Sequence, residues 1–318
     1  QLNTASAKAI VDYAAANNYQ YVHYDAGWYG PERDPKSNPL TVISAIDLPE
    51  VIRYADAHGI GLICYINKIA MSRYDLDRTF RTYHERGIRA VQFGFVDWQS
   101  QADMEVLYAA IRKAAQYQLV VDIHDNFRLT GIERTWPNLL TVEGILGNEE
   151  PADRHNPPRN VLITSFARMI AGAGDFTPCY LNNRVVSRSF QLALGVVFYS
   201  PLQYLHWYDR PERYTGQSFP ELEFWKKMPT TWDDSKVLQG AIGEYMTVAR
   251  RKGESWFIGT IVNDARTLDI PLSFLEQGTY VAKVYQEDPA DKLRVVIQSL
   301  KVNPSSTITA RMSSGSGH

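Results

Sequence analysis

The chain has 318 residues and nearly balanced charge, with 33 Lys and Arg against 35 Asp and Glu and a net charge of −2. No cluster of basic residues is interleaved with aromatic ones, so the charge pattern argues against a nucleic-acid partner. No apolar run reaches the ~18 residues of a membrane-spanning helix. The two cysteines, Cys64 and Cys179, lie far apart without metal-ligand spacing, which disfavours a zinc site and a disulfide framework.

Helix and strand patterns alternate through the first part of the chain. Residues 4–17 have apolar positions at helical spacing, and residues 19–24 then have the pattern of a strand. This helix–strand unit recurs about every 30 residues, as βα units do. The following members are helices at 48–58, 76–86 and 103–116 and strands at 60–67, 89–96 and 119–125.

The predicted strands become shorter after residue 125. They cover residues 139–143, 161–166 and 202–207, and the last one follows an apolar helix at 190–198. Seven strands in a chain that starts on a helix predict a (β/α)8 TIM barrel whose first strand lies before residue 1. An open doubly wound sheet is the alternative, but no glycine-rich βα turn of the dinucleotide-binding type supports it.

The composition changes near Thr230. Short β-type runs follow, with Gly, Asn, Asp or Pro between them, at 237–249, 255–262, 267–272, 279–286, 294–300 and 306–312. We therefore expect residues 1–229 to form the barrel and residues 230–312 to form a C-terminal antiparallel β-sandwich. The terminal SSGSGH, residues 313–318, resembles an appended tail and is set apart from the fold.

Acidic residues follow the strands in the middle of the chain. One apolar run ends in His124 and Asp125, and the next ends at Glu143, with Glu149 six residues further on. The carboxyl ends of parallel barrel strands meet at one rim, where barrel enzymes have their active sites. Acids from neighbouring strands therefore make a candidate site there.

Each candidate also has an ordinary structural interpretation. Asp25, which ends an earlier strand, could form a turn or cap a helix, and His124 could be a satisfied histidine at the rim. Glu143 could be a solvated charge, although the second Glu after a Gly-Asn turn could share a cation or a water with it. Glycoside hydrolysis needs paired acids, because one protonates the leaving oxygen and the other attacks the sugar or activates water. The residues thus indicate an acid-rich, hydrolytic barrel rim.

Six segments carry a more specific signal. They are YDAGWYG at 24–30, AVQFGFVD at 90–97, VDIHDNFRLTGIERTWPNLLTVEGILGNEE at 121–150, SFARMIAGAGDFTP at 165–178, LALGVVFYSPLQYL at 192–205 and VLQGAIGEYMTVARRKGESWFIGTIVND at 237–264. In this order they resemble glycoside hydrolase family 97 over nearly the whole chain. The resemblance implies a catalytic (β/α)8 barrel between an N-terminal β-supersandwich and a C-terminal β-sandwich. It also implies a calcium-dependent, exo-acting α-glucosidase or α-galactosidase.

The resemblance assigns roles to the rim residues. Glu149 matches the general acid, Glu143 matches a calcium ligand, and Glu149 is expected to contact the metal as well. Asp125 matches a glutamate that inverting members use as base and calcium ligand, and Asp25 matches a second base position. Both residues are one methylene shorter here. Substrate contacts are expected from Trp28, His124, Gly94 and Trp98.

Gly94 is the main departure from the family pattern. Retaining members have their nucleophilic aspartate at this place on the fourth strand, whereas this chain has Gln92-Phe93-Gly94. A glycine cannot attack a sugar, so we expect inversion, with Asp25 or Asp125 activating water. The alternatives are a chain in which the nucleophile has been replaced and a catalytically silent sugar-binding homologue. The sequence does not choose between galactose and glucose.

The family also takes one calcium-binding glutamate from its N-terminal domain. We expect that domain and the first barrel strand on a separate or cleaved segment of the same protein, because a seven-stranded barrel would have unpaired edges. The expected partner is an oligosaccharide or another α-glycoside. A periplasmic or secreted location in a bacterium is also expected.

Overall fold

A computed structural model describes residues 2–95, 100–125, 127–149, 157–182, 185, 187–214 and 218–318. The chain divides into two compact units, Gln1–Ile145 and Leu146–His318. This division lies well before the predicted domain boundary at residues 229 and 230. Among the described helices, none combines the length and the apolar character needed to cross a bilayer.

The first unit contains a parallel sheet. Its strands are β1 (Tyr21–Tyr24), β2 (Gly61–Asn67), β3 (Ala90–Gly94), β4 (Val120–Ile123) and β5 (Leu139–Val142). They are hydrogen-bonded in sequence order, and every neighbouring pair is parallel. Parallel strands that follow one another in this order, with helical connections, are the arrangement of a (β/α)8 barrel. The barrel prediction is confirmed for this part of the chain.

Helices connect these strands. They are α1 (Thr4–Ala16), α2 (Leu48–Ala57), α3 (Lys68–Arg73), α4 (Leu76–Arg86), α5 (Gln101–Gln116) and α6 (Ile132–Thr135). Five of them begin at a capping side chain that accepts a hydrogen bond from the backbone N–H three residues on; these caps are Asn3, Asp47, Asn67, Asp75 and Ser100. Helix α4 ends at Gly87, whose φ of 92° suits glycine. These defined ends fix where the chain enters each strand.

The parallel strands are buried along most of their length. All five residues of β3 and six of the seven residues of β2 are buried. Such near-continuous burial is expected of a parallel strand that is covered on both faces. The rings of Phe80 on α4 and Phe93 on β3 stack with their centroids 6.0 Å apart. Side chains at the carboxyl ends of these strands therefore stand on a rigid, close-packed base.

The second unit contains helices and antiparallel sheets. The helices are α7 (Pro158–Phe166), α8 (Arg188–Val197) and α9 (Glu223–Lys227), with short 3₁₀ helices at Arg168–Ala171, Pro211–Tyr214 and Pro220–Leu222. One sheet joins β6 (Asp234–Ala241), β7 (Tyr245–Lys252) and β8 (Ser255–Val262). Two more pair β10 (Tyr280–Asp288) with β11 (Asp291–Val302), and β9 (Arg266–Pro271) with β12 (Thr307–Met312). These are the predicted C-terminal antiparallel sheets.

Helix α8 forms the centre of the second unit. Nine of its ten residues are buried. A Cβ on Gly259 of β8 would lie only 2.7 Å from the carbonyl oxygen of Ala193, so the glycine permits close approach of strand and helix. Arg250 Nε donates to the carbonyl oxygen of Val196 at 2.6 Å, which satisfies an acceptor near the end of the helix.

Two of the predicted barrel strands were wrong. Residues 161–166 lie in helix α7, and residues 202–207 form bends and turns. A short apolar run such as VLITSF has no period that separates a strand from a buried helix. Pro158 at the first turn of α7 favours the helix, because it has no N–H to leave unpaired there.

The last six residues are also placed differently from the expectation. Gly317 pairs with Ile261 in an antiparallel bridge, and His318 exchanges two backbone hydrogen bonds of 2.9 Å with Thr260. Ser316 is fully buried. Burial lowers the pKa of His318 to about 4. Residues 313–318 therefore belong to the fold of the second unit.

Candidate active site

The carboxyl ends of four parallel strands carry predicted site residues. Asp25 directly follows β1, Gly94 ends β3, Asp125 lies two residues after β4, and Glu143 directly follows β5. Because neighbouring strands in this sheet run parallel, these ends lie at one edge of the sheet. The first unit therefore presents these residues where the sequence predicted them.

A single carboxylate oxygen of Glu143 joins the ends of β4 and β5. It accepts a hydrogen bond from the backbone N–H of Asp125 at 2.6 Å and lies 3.2 Å from Nδ1 of His124. The backbone adds two bonds between the same segments, from Glu143 N to Ile123 O at 2.8 Å and from Gly144 N to Asp125 O at 2.9 Å. The His124 and Glu143 residues are only 7% and 6% exposed. The carboxylate is thus held in one orientation.

Two non-glycine residues at the strand ends have left-handed backbones. The φ angle is 66° at Asp125 and 47° at Phe95. This region is uncommon for residues with a Cβ, and more so for a bulky one than for aspartate. Such conformations persist where surrounding contacts impose them, and they are concentrated at functional sites. At Asp125 these contacts are the two hydrogen bonds described above. Its N–H donates one of them and its carbonyl oxygen accepts the other.

Asp25 has both a local contact and an electrostatic influence. Its Oδ1 accepts a hydrogen bond from Ala26 N at 2.7 Å, which matches the turn-forming alternative. Burial lowers the pKa of His23 to about 4, although the charge of Asp25 opposes the shift. Burial raises the pKa of the Glu32 carboxyl, and the charges of Asp25 and Asp125 act in the same direction. The charges of Asp25 and Asp125 thus act on the Glu32 carboxyl.

Gly94 lies against the ring of Tyr65 on β2. A Cβ on residue 94 would be 2.0 Å from Cε2 and 2.6 Å from the hydroxyl oxygen of Tyr65. The Tyr65 hydroxyl donates a hydrogen bond to Oε1 of Glu32, and the residue is 3% exposed. The space next to Gly94 is therefore filled by an aromatic ring.

Glu149 lies at the beginning of the second unit. Its Oε1 accepts hydrogen bonds from the indole N–H of Trp207 at 2.9 Å and from the Tyr208 hydroxyl at 2.8 Å. Trp207 is buried, and its backbone N–H bonds to the carbonyl oxygen of Pro178 at 2.9 Å. Two donors on one oxygen fix the orientation of the carboxyl group, as a residue that transfers a proton at a defined atom requires.

Two family models match the chain. One, described as glycoside hydrolase 97, covers residues 1–145, and the other, described as glycosyl-hydrolase 97 C-terminal, oligomerisation, covers residues 231–318. The chain belongs to glycoside hydrolase family 97. A curated retaining alpha-galactosidase of Bacteroides thetaiotaomicron is 32% identical over 305 residues, which are 90% of this chain and 45% of that protein. A probable retaining alpha-galactosidase of Streptomyces bingchenggensis is 30% identical, again over 90% of this chain and 45% of its own length.

Solved structures agree with the family 97 assignment. A variant of a glycoside hydrolase family 97 enzyme from Pseudoalteromonas sp. strain K8 matches with a TM-score of 0.89 and 25% identity. The match covers 99% of this chain and 55% of the other. A structure of the Pseudoalteromonas enzyme with acarbose matches with a TM-score of 0.88. The family 97 chain spans 45% of the length of each of the two curated relatives, which is less than half.

The predicted substrate-contacting residues of this family 97 chain have different surroundings. His124 is beside Glu143, and Gly94 is beside Tyr65, as described. Trp28 has no exposed surface, and its indole N–H donates to the backbone oxygen of Tyr65 at 2.7 Å. This differs from the expected contact with substrate, because a ring that stacks on a sugar needs an open face; Trp28 instead supports β2 from the core. Trp98 lies outside the described residues.

Sequence reasoning missed Tyr65 and Glu32. Tyr65 lies inside an apolar strand and Glu32 lies in a Pro-containing loop, so the ordinary interpretations were a core ring and a solvated charge. The available signal was Gly94 itself. A glycine inside a buried strand often marks the close approach of another group.

Proposed function

We propose that this family 97 chain contains the catalytic barrel of an exo-acting α-glycoside hydrolase that releases a terminal α-linked hexose, galactose or glucose. The supporting observation is the Glu149 carboxyl group, whose Oε1 accepts hydrogen bonds from two aromatic residues. The curated relatives carry the name alpha-galactosidase, which favours galactose over glucose as the first substrate to test.

In the proposed reaction Glu149 is the general acid. Its proton moves to the glycosidic oxygen as the bond between that oxygen and the anomeric carbon breaks. A water molecule attacks the anomeric carbon from the opposite face, and Asp125 or Asp25 takes the proton that the water loses. We propose inversion because Gly94 offers no nucleophile, which differs from the retaining outcome in the names of the curated relatives.

We also propose that Glu143, Asp125 and Glu149 hold a calcium ion. Carboxylate oxygens are the ligands that this hard cation prefers, and the hydrogen bond from Asp125 to Glu143 already fixes two of the residues side by side. When bound, the ion would supply positive charge that keeps the carboxylate of the base ionised and attracts sugar hydroxyls. A glutamate from an N-terminal β-supersandwich of the same protein is proposed as a further ligand.

The deciding experiment is the Glu149→Gln substitution. With α-linked galactose and glucose disaccharides as substrates, whose leaving oxygen needs protonation, we expect kcat to fall roughly 10²–10⁴-fold, because the amide cannot deliver the proton. Glu244→Gln, an exposed glutamate on the second unit, is the matched control and should keep the parent rate. Unchanged turnover in Glu149→Gln would remove Glu149 from the mechanism. A parent chain that binds sugar without turnover would identify a catalytically silent homologue.

Stereochemistry is tested separately. Proton NMR of the first-formed sugar, recorded before mutarotation, should show the β-anomer from an α-glycoside. A first-formed α-anomer would contradict inversion while leaving the hydrolase proposal intact.

A further inference from the structure

We infer that Tyr65, held by Glu32, occupies the space that a nucleophilic side chain on residue 94 would need, and thereby determines that hydrolysis proceeds without a nucleophile from the protein. Because this inference rests on the proposed function, Tyr65 is assigned as a positioning residue for that reaction. It governs the stereochemical outcome and does not itself bond to the sugar.

The register of the two strands creates the contact. β2 and β3 are parallel neighbours in which Tyr65 pairs with Gln92 and Asn67 pairs with Gly94. The Tyr65 ring therefore begins two residues before the partner of Gly94 and extends along the strand to it. Its Cε2, Cζ and hydroxyl oxygen lie 2.0, 2.6 and 2.6 Å from the position of a Cβ on residue 94. Any side chain there would overlap the ring.

Several contacts keep the ring in place. The Tyr65 hydroxyl donates to Glu32, and the backbone oxygen of Tyr65 accepts from Trp28. The Glu32 loop is itself anchored, because its carbonyl oxygen accepts a hydrogen bond from Asn67 Nδ2 at 2.6 Å. Asn67 is buried and also caps α3 by accepting from Ala70 N at 2.8 Å. Moving the ring would break its hydrogen bond to Glu32, whose position is itself fixed by the bond from Asn67.

The hydrogen-bonded pair of Tyr65 and Glu32 does not make the Tyr65 hydroxyl a nucleophile. Burial raises the pKa of Tyr65, and its hydrogen bond to Glu32 acts in the same direction. The hydroxyl therefore stays protonated and donates a hydrogen bond to Glu32. A neutral phenol in the place of a carboxylate leaves water as the group that attacks the anomeric carbon.

The first test combines changes at both positions. The variants are Gly94→Asp, Tyr65→Ala, Gly94→Asp with Tyr65→Ala, and Gly94→Asp with Tyr65→Phe. We expect Gly94→Asp alone to lose activity at least ~10-fold without forming a retained product, because the ring fills the space. Adding Tyr65→Ala should give a first-formed α-anomer, whereas adding Tyr65→Phe should not, because the ring remains.

In the variant that combines Gly94→Asp with Tyr65→Ala, the retained product would form in two steps. The introduced carboxylate bonds to the anomeric carbon as the glycosidic bond breaks and the leaving oxygen takes the proton of Glu149. Water then replaces the carboxylate and returns a proton to Glu149. A retained product from Gly94→Asp alone would overturn the inference. So would a retaining parent that loses activity on Tyr65→Phe, since Tyr65 would then be the nucleophile.

A second measurement does not depend on activity. Gly94→Ala places a methyl group against the ring, so we expect the thermal midpoint of the parent chain to fall by roughly 2–10 °C. In the Tyr65→Ala background the same change should lower the midpoint by less than half as much. Equal decreases in both backgrounds would overturn the inference. If neither the parent chain nor any variant hydrolyses a glycoside, the proposed function fails. The thermal midpoints of Gly94→Ala in the two backgrounds still report on the contact between Tyr65 and residue 94.

Discussion

Glu143 shows how one side chain can join two strand ends at the proposed site. Its carboxylate accepts the N–H of Asp125, and that N–H belongs to a residue with a left-handed backbone. Without this acceptor, the partly buried N–H would lose its hydrogen bond and the backbone of Asp125 would lose a contact that imposes its conformation.

Two substitutions separate these roles of Glu143. Glu143→Ala removes the acceptor, and we expect a loss of about 1–3 kcal/mol in the free energy of unfolding. Glu143→Gln keeps an acceptor oxygen and should lose less stability, but it removes the charge that the proposed metal site and His124 face. Urea unfolding and initial rates on an α-galactoside measure the two effects. Equal stability of both variants would contradict the role of the hydrogen bond.

His23 gives a prediction for pH. Its pKa in the folded chain is about 4, below the ordinary value of 6.5, because burial disfavours the imidazolium. As pH falls through 6.5, the unfolded chain binds a proton that the folded chain binds only near pH 4, so stability decreases. Between pH 7.5 and 5 we expect a loss on the order of 2 kcal/mol from this residue.

Urea unfolding at both pH values measures this loss. The variant His23→Gln should show a shallower decrease between them, whereas His84→Gln, at an exposed position on α4, should follow the parent chain. The same slope in the parent and in His23→Gln would show that other groups cause the acid sensitivity.

At the scale of residues, the sequence located the rim acids but not their surroundings. Asp125 and Glu143 were predictable because a charged residue that ends an apolar run is a local signal. The Tyr65 contact with Gly94 was not, because it depends on which strands are neighbours and on a rotamer that crosses between them. The burial of Trp28 was missed for the same reason, since an aromatic residue after a strand can face the core or the rim.

At the scale of elements, strand prediction succeeded where the pattern was unambiguous. The first five strands are apolar runs bounded by polar or turn-forming residues. The C-terminal strands show alternation between exposed and less exposed positions, as along β9 and the first half of β10. The run at residues 161–166 has neither length nor alternation, and it is part of α7. Whether a strand can be predicted from sequence thus depends on the period and the length of its apolar run.

The contact between α8 and β8 gives a prediction at this scale. A methyl group on Gly259 would meet the backbone oxygen of Ala193 at 2.7 Å, and one on Gly195 would meet the end of the Met228 side chain at 2.7 Å. A backbone atom cannot yield without moving the helix, whereas a methionine side chain can adopt another rotamer. We expect Gly259→Ala to cost about 1–3 kcal/mol in the free energy of unfolding.

Gly195→Ala is the matched comparison. Its steric cost is small, and alanine favours the helix over glycine by about 1 kcal/mol, so the net change should stay within about 1 kcal/mol. Urea midpoints of the two variants and the parent measure the difference. Similar midpoints for both variants would show that the strand and the helix can separate without cost.

At the scale of the whole molecule, the division into two compact units was not predictable. The boundary lies between Ile145 and Leu146, inside the stretch that carries Glu143 and Glu149. Composition placed the boundary near Thr230, because the change from mixed to β-type patterns is visible there. Compactness depends instead on which elements pack together, and residues after 145 pack with the antiparallel sheets of their own unit, as α8 does with β8.

Calcium provides a test at the scale of the molecule, because a ligand that binds only the folded state stabilises the part of the chain that holds it. At a free concentration of 100 times Kd the stabilisation is about 2.7 kcal/mol, which corresponds to a rise of roughly 5–10 °C in the thermal midpoint. Addition of a chelator should reverse this rise. Glu143→Gln should have a midpoint that calcium no longer changes, since it loses a proposed ligand charge, whereas Glu244→Gln should respond as the parent chain does. A parent midpoint that is the same in calcium and in chelator would remove the metal from the proposed function while leaving the roles of Glu149 and Tyr65 to their own tests.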